Sequence, residues 1–348
     1  LSRGEPCPLD ERWPRPTSTP DRGPPPIAHR RGKGGVRFGR YRAVMLEIVA
    51  RALSLVAIVG IGLGIKRLGW ARTSDFGLFS KLVLGVTLPC ALFTSFNDYH
   101  LEYALLGLTA LAFCLNIAQQ AIGYALAARQ GRKAQAFAVL NSGSYNIGAF
   151  ATPYLAGFMG PHAMIYSTLF DFGGAFSSAG VAYGWGMTLA SEPGKHGWRE
   201  LVRTLAGSPV FVTYVVLLAM RLLDLRLPDP VITFTSIVGA ANPFLAMLMI
   251  GIGLELRLRR EKYVAAARIL AVRYAFATVA AVGCWYLLPL PADARLVVVM
   301  VLFAPIASMM PVFTGRARLD VELSAFLNSV SIVVGIVAMP TIYLALHA

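Results

Sequence analysis

The sequence predicts an all-α polytopic membrane protein, with ten transmembrane helices arranged as two inverted five-helix repeats and with helices four and nine broken. Three observations lead there. Apolar residues make up 56% of the chain and charged residues only 14%, with a mean hydropathy of +0.60, where a soluble protein is about a quarter charged. Ten apolar windows each approach the ~20 residues that cross hydrocarbon as a helix. Basic residues concentrate in alternate loops, and two windows in matching places of the two halves carry prolines.

The windows cover approximately 46–65, 76–96, 103–127, 135–158, 163–190, 207–224, 231–254, 263–288, 294–314 and 322–346. Ahead of the first, residues 1–44 hold ten Lys/Arg, four Asp/Glu and Pro24-Pro25-Pro26 but no apolar run. A disordered tail is expected there rather than a signal peptide, and Met45, the first methionine, is the expected physiological start. Without that tail the net charge falls from +14 to +8, so the basic balance requires no nucleic-acid partner.

The second window contains Lys81 and Val86-Thr87-Leu88-Pro89. The fourth reads Asn146-Ile147-Gly148-Ala149-Phe150-Ala151-Thr152-Pro153. Proline removes a donor and clashes with the preceding turn, so the helix is expected to break at Pro153. The fifth holds Asp171, and the polar connection 191–205 is read as a cytoplasmic linker between a first repeat, 45–190, and a second, 206–348. In the second repeat, window seven has Asn242-Pro243, window eight has Arg268 and Arg273, and window nine has Pro305 and Pro311. The last window carries Asn328-Ser329-Val330-Ser331.

Loop charge sets the orientation. Lys66, Arg67, Arg72, Arg129, Arg132, Lys133, Lys195, Arg199, Arg203, Arg257, Arg259, Arg260, Lys262, Arg316 and Arg318 fall in one set of loops, against Arg221, Arg226 and Arg295 in the other. The rich set is expected to be cytoplasmic, which puts both termini outside. Five windows per half then oblige the second half to enter in the opposite sense. The prolines of windows two and seven, and of four and nine, repeat the same places, and such a pair of broken spans points to a transporter's binding site.

From Met45 onward the chain resembles the auxin efflux carrier family, which includes plant auxin exporters and many bacterial permeases. The resemblance is carried by Lys81 to Pro89 with Leu92-Phe93, by Asn146, Gly148, Pro153 and Gly160, and by Ala304-Pro305-Ile306-Ala307, Asp320, Glu322 and Asn328 to Pro340. Ala151 stands where that family commonly has Gly, Thr152 replaces an aliphatic residue, and Pro311 is an added proline. The resemblance implies that the broken helices cross at their prolines with substrate bound beside the crossing. It also implies elevator-type movement of one helix group against the other, a multi-pass protein of the bacterial plasma (inner) membrane, and a homodimer.

Candidate substrate-binding residues are Asn146, Gly148, Pro153, Pro305, Asn141, Asn242 and Asn328. An unwound segment exposes amide donors and a half-helix N-terminus, which suit a carboxylate. The asparagines serve equally well as helix-packing hydrogen bonders. Asp171 and Lys81 are candidate coupling residues, because ionisable groups at membrane depth are costly and functional by default. Arg268 and Arg273 are candidate counter-charges to Asp171, and Lys81 alternatively snorkels to the membrane surface.

The expected function is secondary transport of a small organic anion, with the lipid bilayer as its medium. The alternative is a sodium- or proton-coupled cation antiporter. An intramembrane enzyme or receptor is disfavoured: no P-loop, His-Glu-x-x-His or Gly-x-Ser-x-Gly pattern occurs, so no cofactor, metal or catalytic residue is expected.

Overall fold

A helix satisfies its backbone groups internally, which is what passage through hydrocarbon demands. The computed structural model describes residues 33–97, 99, 106–190 and 198–347, and these form helices and turns with no strand beyond one isolated bridge. The chain divides into two units, Leu1–Ala43 and Val44–Ala348. In the first, residues 33–43 are described and are helical. Helix α1 (Lys33–Arg67) thus begins ahead of Met45, within the stretch expected to be a disordered tail; the rest of that stretch lies outside the described residues. Helix propagation adds one hydrogen bond per residue fixed, which carries α1 through Gly34 and Gly35.

The helices that follow are α2 (Phe76–Leu82), α3 (Leu88–Phe96), α4 (Gly107–Leu126), α5 (Arg132–Ser142), α6 (Thr152–Met159), α7 (Pro161–Ala175) and α8 (Tyr183–Ala190). Beyond them come α9 (Trp198–Ala206), α10 (Pro209–Leu222), α11 (Asp229–Ala240), α12 (Asn242–Gly253), α13 (Tyr263–Leu287), α14 (Ala292–Val301), α15 (Met310–Arg316) and α16 (Val321–His347). Among the described residues, six stretches are long and apolar enough to cross a membrane: Val49–Arg67, Thr73–Phe96, Gly107–Leu126, Asp229–Gly253, Arg260–Leu287 and Val321–Leu346. They coincide with windows one, two, three, seven, eight and ten and support a multi-pass membrane protein. Ile147–Met159 and Pro209–Leu222 are shorter apolar helices within windows four and six. The expected linker is not all loop. Its second part is α9, while residues 191–197 lie outside the described residues.

Proline does not break the fourth window where the sequence suggested. Pro153 sits in the first turn of α6, directly after a wide π-helical turn over Ile147–Ala151. Pro89 follows a similar turn, Val83–Thr87, at the start of α3. A π turn moves the preceding carbonyl away from the pyrrolidine ring, so the helix continues. The true break is at residues 143–146, about two to three turns earlier. In window nine the helix stops after Val301 and resumes at Met310, with Pro305 inside the gap as expected.

The two breaks meet. Tyr145 and Ile306 form an isolated antiparallel bridge, and the Asn146 amide donates to the Pro305 carbonyl at 2.8 Å. Arg273, fully buried on α13, closes the other side. Its Nη1 donates to the Ser142 carbonyl at 2.6 Å and its Nη2 to the Ala304 carbonyl at 2.9 Å. Both acceptors lie where a half-helix has just ended, so they carry the negative end of the helix dipole. The planar guanidinium reaches one carbonyl from each break. Ser331 accepts from the Ile306 amide at 2.9 Å, and Asn328 donates to the Ile306 carbonyl.

Close helix approach fixes the remaining walls. The Thr109 hydroxyl donates to the Leu169 carbonyl at 2.8 Å, joining α4 to α7. A Cβ on Gly173 would overlap the Thr109 carbonyl. Between α1 and α12, a Cβ on Gly62 would meet the Gly251 Cα at 3.0 Å.

Two outcomes follow for thermal unfolding of the detergent-solubilised protein. Arg273→Met should destabilise by roughly 3 kcal/mol or more, because two charge-assisted hydrogen bonds worth ~1.5–3 kcal/mol each are lost. Arg273→Lys should fall between, since a single ammonium lacks the fork; a wild-type midpoint for Arg273→Met would remove the clamp from the account. Gly173→Ala should cost about 1–3 kcal/mol through overpacking. Gly283→Ala, with nothing within 4 Å of its Cβ position, should be neutral or slightly stabilising. Equal midpoints for the two glycine variants would contradict the packing described.

Candidate functional site

The half-helix that resumes after the first break starts at Ile147, and its N-terminal end opens on a cavity of about 130 Å³. Residues 145–146 of the first break, 147–149 of the π-helical turn that follows it and 307–309 of the second break form one wall; α7 and α10 form another. Among the described residues, no Lys, Arg or His lines it. Its fixed charge is the carboxylate of Asp171.

Asp171 is held from two directions. Its Oδ2 accepts from the Tyr214 hydroxyl at 2.6 Å, and the Gly148 backbone N–H, at the start of the half-helix, also donates to the carboxylate. The carboxylate therefore sits at the positive end of the helix, where an anion is stabilised. Close approach requires glycine at 148, because a Cβ there would lie 2.9 Å from Asp171 Oδ2 and 3.1 Å from Tyr214 Oη. Tyr214 is positioned in turn by Phe172, whose ring meets it edge-on at 6.2 Å and stacks on Phe211 at 5.3 Å.

Across the cavity, the Asn146 side chain donates from Nδ2 to the Ser308 hydroxyl at 3.1 Å, joining the two breaks a second time. It does not fold back to cap its own helix. Ser178 and Ser208 add hydroxyls to the lining. A small guest entering here would meet Asn146 and three serines, with the carboxylate of Asp171 on the same side as the helix N-terminus.

The sequence-derived candidates divide sharply. Asn146, Gly148 and Asp171 line this cavity, and Pro305 stands beside it as the acceptor for the Asn146 amide. Pro153 lies within α6 and does not line the cavity. Asn141 is a packing residue: it bonds Thr314 at 3.1 Å and accepts from Ser324, tying α5 to α15 and α16. Asn328 supports the second break from behind. Asn242 accepts from Thr87 at 3.0 Å, so the echoing proline motifs of windows two and seven meet each other rather than the cavity. Lys81 is exposed on α2 and does not line this cavity. Arg273 is engaged by backbone carbonyls and Arg268 lines a different cavity, so neither is the counter-charge to Asp171.

Tyr214, Ser178, Ser208 and Ser308 were not among the expected residues. A hydroxyl within an apolar run was the available signal, but many others in this sequence carry the same signal.

No protein-family model matches this chain. It is similar to an uncharacterized transporter from Methanothermobacter thermautotrophicus, at 24% identity over 298 residues, covering 83% of this chain and 95% of that protein.

Proposed function

We propose that this protein is a secondary transporter, not an enzyme, and that it moves a small organic carboxylate across a bacterial plasma membrane with Asp171 as its proton-exchanging group. The observation that carries the reading is the convergence of a half-helix N-terminus, Asn146 and Asp171 on one cavity between two broken helices. The resemblance to auxin efflux carriers and the relative named as a transporter favour the same class. In this reading the ten windows are ten spans in two inverted repeats, and the group holding the two breaks moves against the rest.

Asp171 occupies the place an anionic guest would take. Both would draw on the Gly148 N–H and the positive end of the helix. A second negative charge within a few ångströms is strongly disfavoured at membrane depth. The anion therefore enters together with a proton on Asp171. Departure of the guest lets the carboxylate ionise again and return to the Gly148 amide. Tyr214 keeps its hydrogen bond to Asp171 in the ionised state, and Asn146 turns its amide from Ser308 to the guest.

Cation antiport is the second reading, favoured by one observation: the cavity's fixed charge is negative, with no basic residue in its lining among the described residues. Uptake of labelled dicarboxylates into proteoliposomes, with and without a proton gradient, separates the two. The expected result is acid uptake that rises with an inward proton gradient. Absence of flux for every acid tried, with correctly folded protein, would sink the anion reading; sodium or proton exchange abolished in Asp171→Asn would establish the second.

Two variants test the site. Asn146→Ala should lower uptake about tenfold or more at subsaturating substrate, the worth of one hydrogen bond to a charged group, with membrane insertion unchanged. Asp171→Asn should leave flux that no longer responds to a pH gradient. A gradient response equal to wild type would take the proton away from Asp171.

A further inference from the structure

A larger cavity, of about 460 Å³, lies away from the crossing, between α4, α5, α13 and the turn that joins α15 to α16. Leu126, Phe137 and Ile269 are among the apolar residues of its walls, while Lys133, Arg268 and Arg318 bring three cations to it from three different elements. All three are exposed, and their side chains have no ion-pair partner among the described residues. The one carboxylate in the lining, Asp320, is taken by Lys262 at 2.7 Å. The cavity thus combines apolar walls with an uncompensated positive rim.

The backbone at Arg318 adds an independent observation. Its φ is +53°, and it closes α15 through Arg318 N to the Gly315 carbonyl and Leu319 N to the Thr314 carbonyl, both at 3.0 Å. That is the helix ending in which glycine ordinarily fills the left-handed position. A Cβ there crowds the following carbonyl. An arginine is kept where glycine would relax the chain, and the cavity is where its side chain goes.

We propose that this cavity holds an anionic phospholipid, with an acyl chain along the apolar walls and the phosphate among Lys133, Arg268 and Arg318. The three cations belong to the side of the chain whose loops carry the excess of Lys and Arg, and basic pockets between membrane helices on that side suit anionic headgroups. A zwitterionic lipid would bring its own cation against three others. Free phosphate would leave the apolar walls uncovered.

The test uses the purified full chain in detergent, titrated with phosphatidylglycerol and followed by native mass spectrometry. Phosphatidylcholine with the same acyl chains and soluble glycerol phosphate are the comparison arms. Phosphatidylglycerol should bind at least tenfold more tightly than phosphatidylcholine, and Lys133→Gln and Arg318→Gly should each weaken it about fivefold, as expected for one basic residue near an anionic headgroup. Arg318→Gly should unfold at a temperature no lower than wild type, so that its loss of lipid is not loss of fold. Equal binding of phosphatidylcholine would overturn the proposal. So would unchanged phosphatidylglycerol binding in both variants, or glycerol phosphate binding as tightly as the lipid.

Discussion

A helix interrupted in a membrane leaves carbonyls and amides that water cannot reach, and every other feature of this protein depends on how those groups are satisfied. Arg273 is the centre of that solution. One guanidinium takes a carbonyl from each break, and its own surroundings hold it in place. Its backbone carbonyl accepts from Gln119 at 3.3 Å, Gln119 in turn accepts from the Tyr145 hydroxyl at 2.6 Å, and the guanidinium lies 4.7 Å from the centre of the Tyr145 ring. The cation is therefore fixed by residues of α4 and of the first break, which it helps to fix in return.

The opposite faces of the crossing differ in kind. On the clamped face, charge meets main chain, and main-chain acceptors have no alternative partner in an apolar interior. On the cavity face, Asp171 meets Tyr214 and Asn146 meets Ser308. Those are bonds between side chains, not between a charge and the main chain. The distribution of the two charges follows the helix ends: the cation at the C-terminal ends of α5 and α14, the carboxylate at the N-terminal end of the half-helix that follows. The main-chain clamp and the side-chain cavity thereby fall on different sides of the same few residues.

Much of this architecture was legible from hydropathy, because long apolar windows have one economical solution. The position of the first break was not. Pro153 gave the signal that a span is irregular, but a wide turn absorbs the proline, and the chain opens instead where Gly143 passes close to α4 and the Ser142 and Gly143 carbonyls find donors in Arg273 and Gln120. The asparagines illustrate a second limit. Asn141, Asn146, Asn242 and Asn328 are alike as sequence signals, yet one faces the cavity and three serve packing or support, since what distinguishes them is a partner between 22 and 183 residues away. Arg273 stood out as a charge at mid-span, but a backbone carbonyl has no residue type by which a sequence could announce it.

The bridge between Tyr145 and Ile306 is made by main-chain atoms, and that has a bearing on how such a chain diversifies. Its geometry places no demand on the identity of the side chains that project from it. Positions 146 and 308, whose side chains bond each other rather than the main chain of the bridge, can change while the meeting of the two breaks persists. Divergence of the side chains and persistence of the scaffold are then separable, so the same main-chain bridge can carry cavities of chemically unrelated lining.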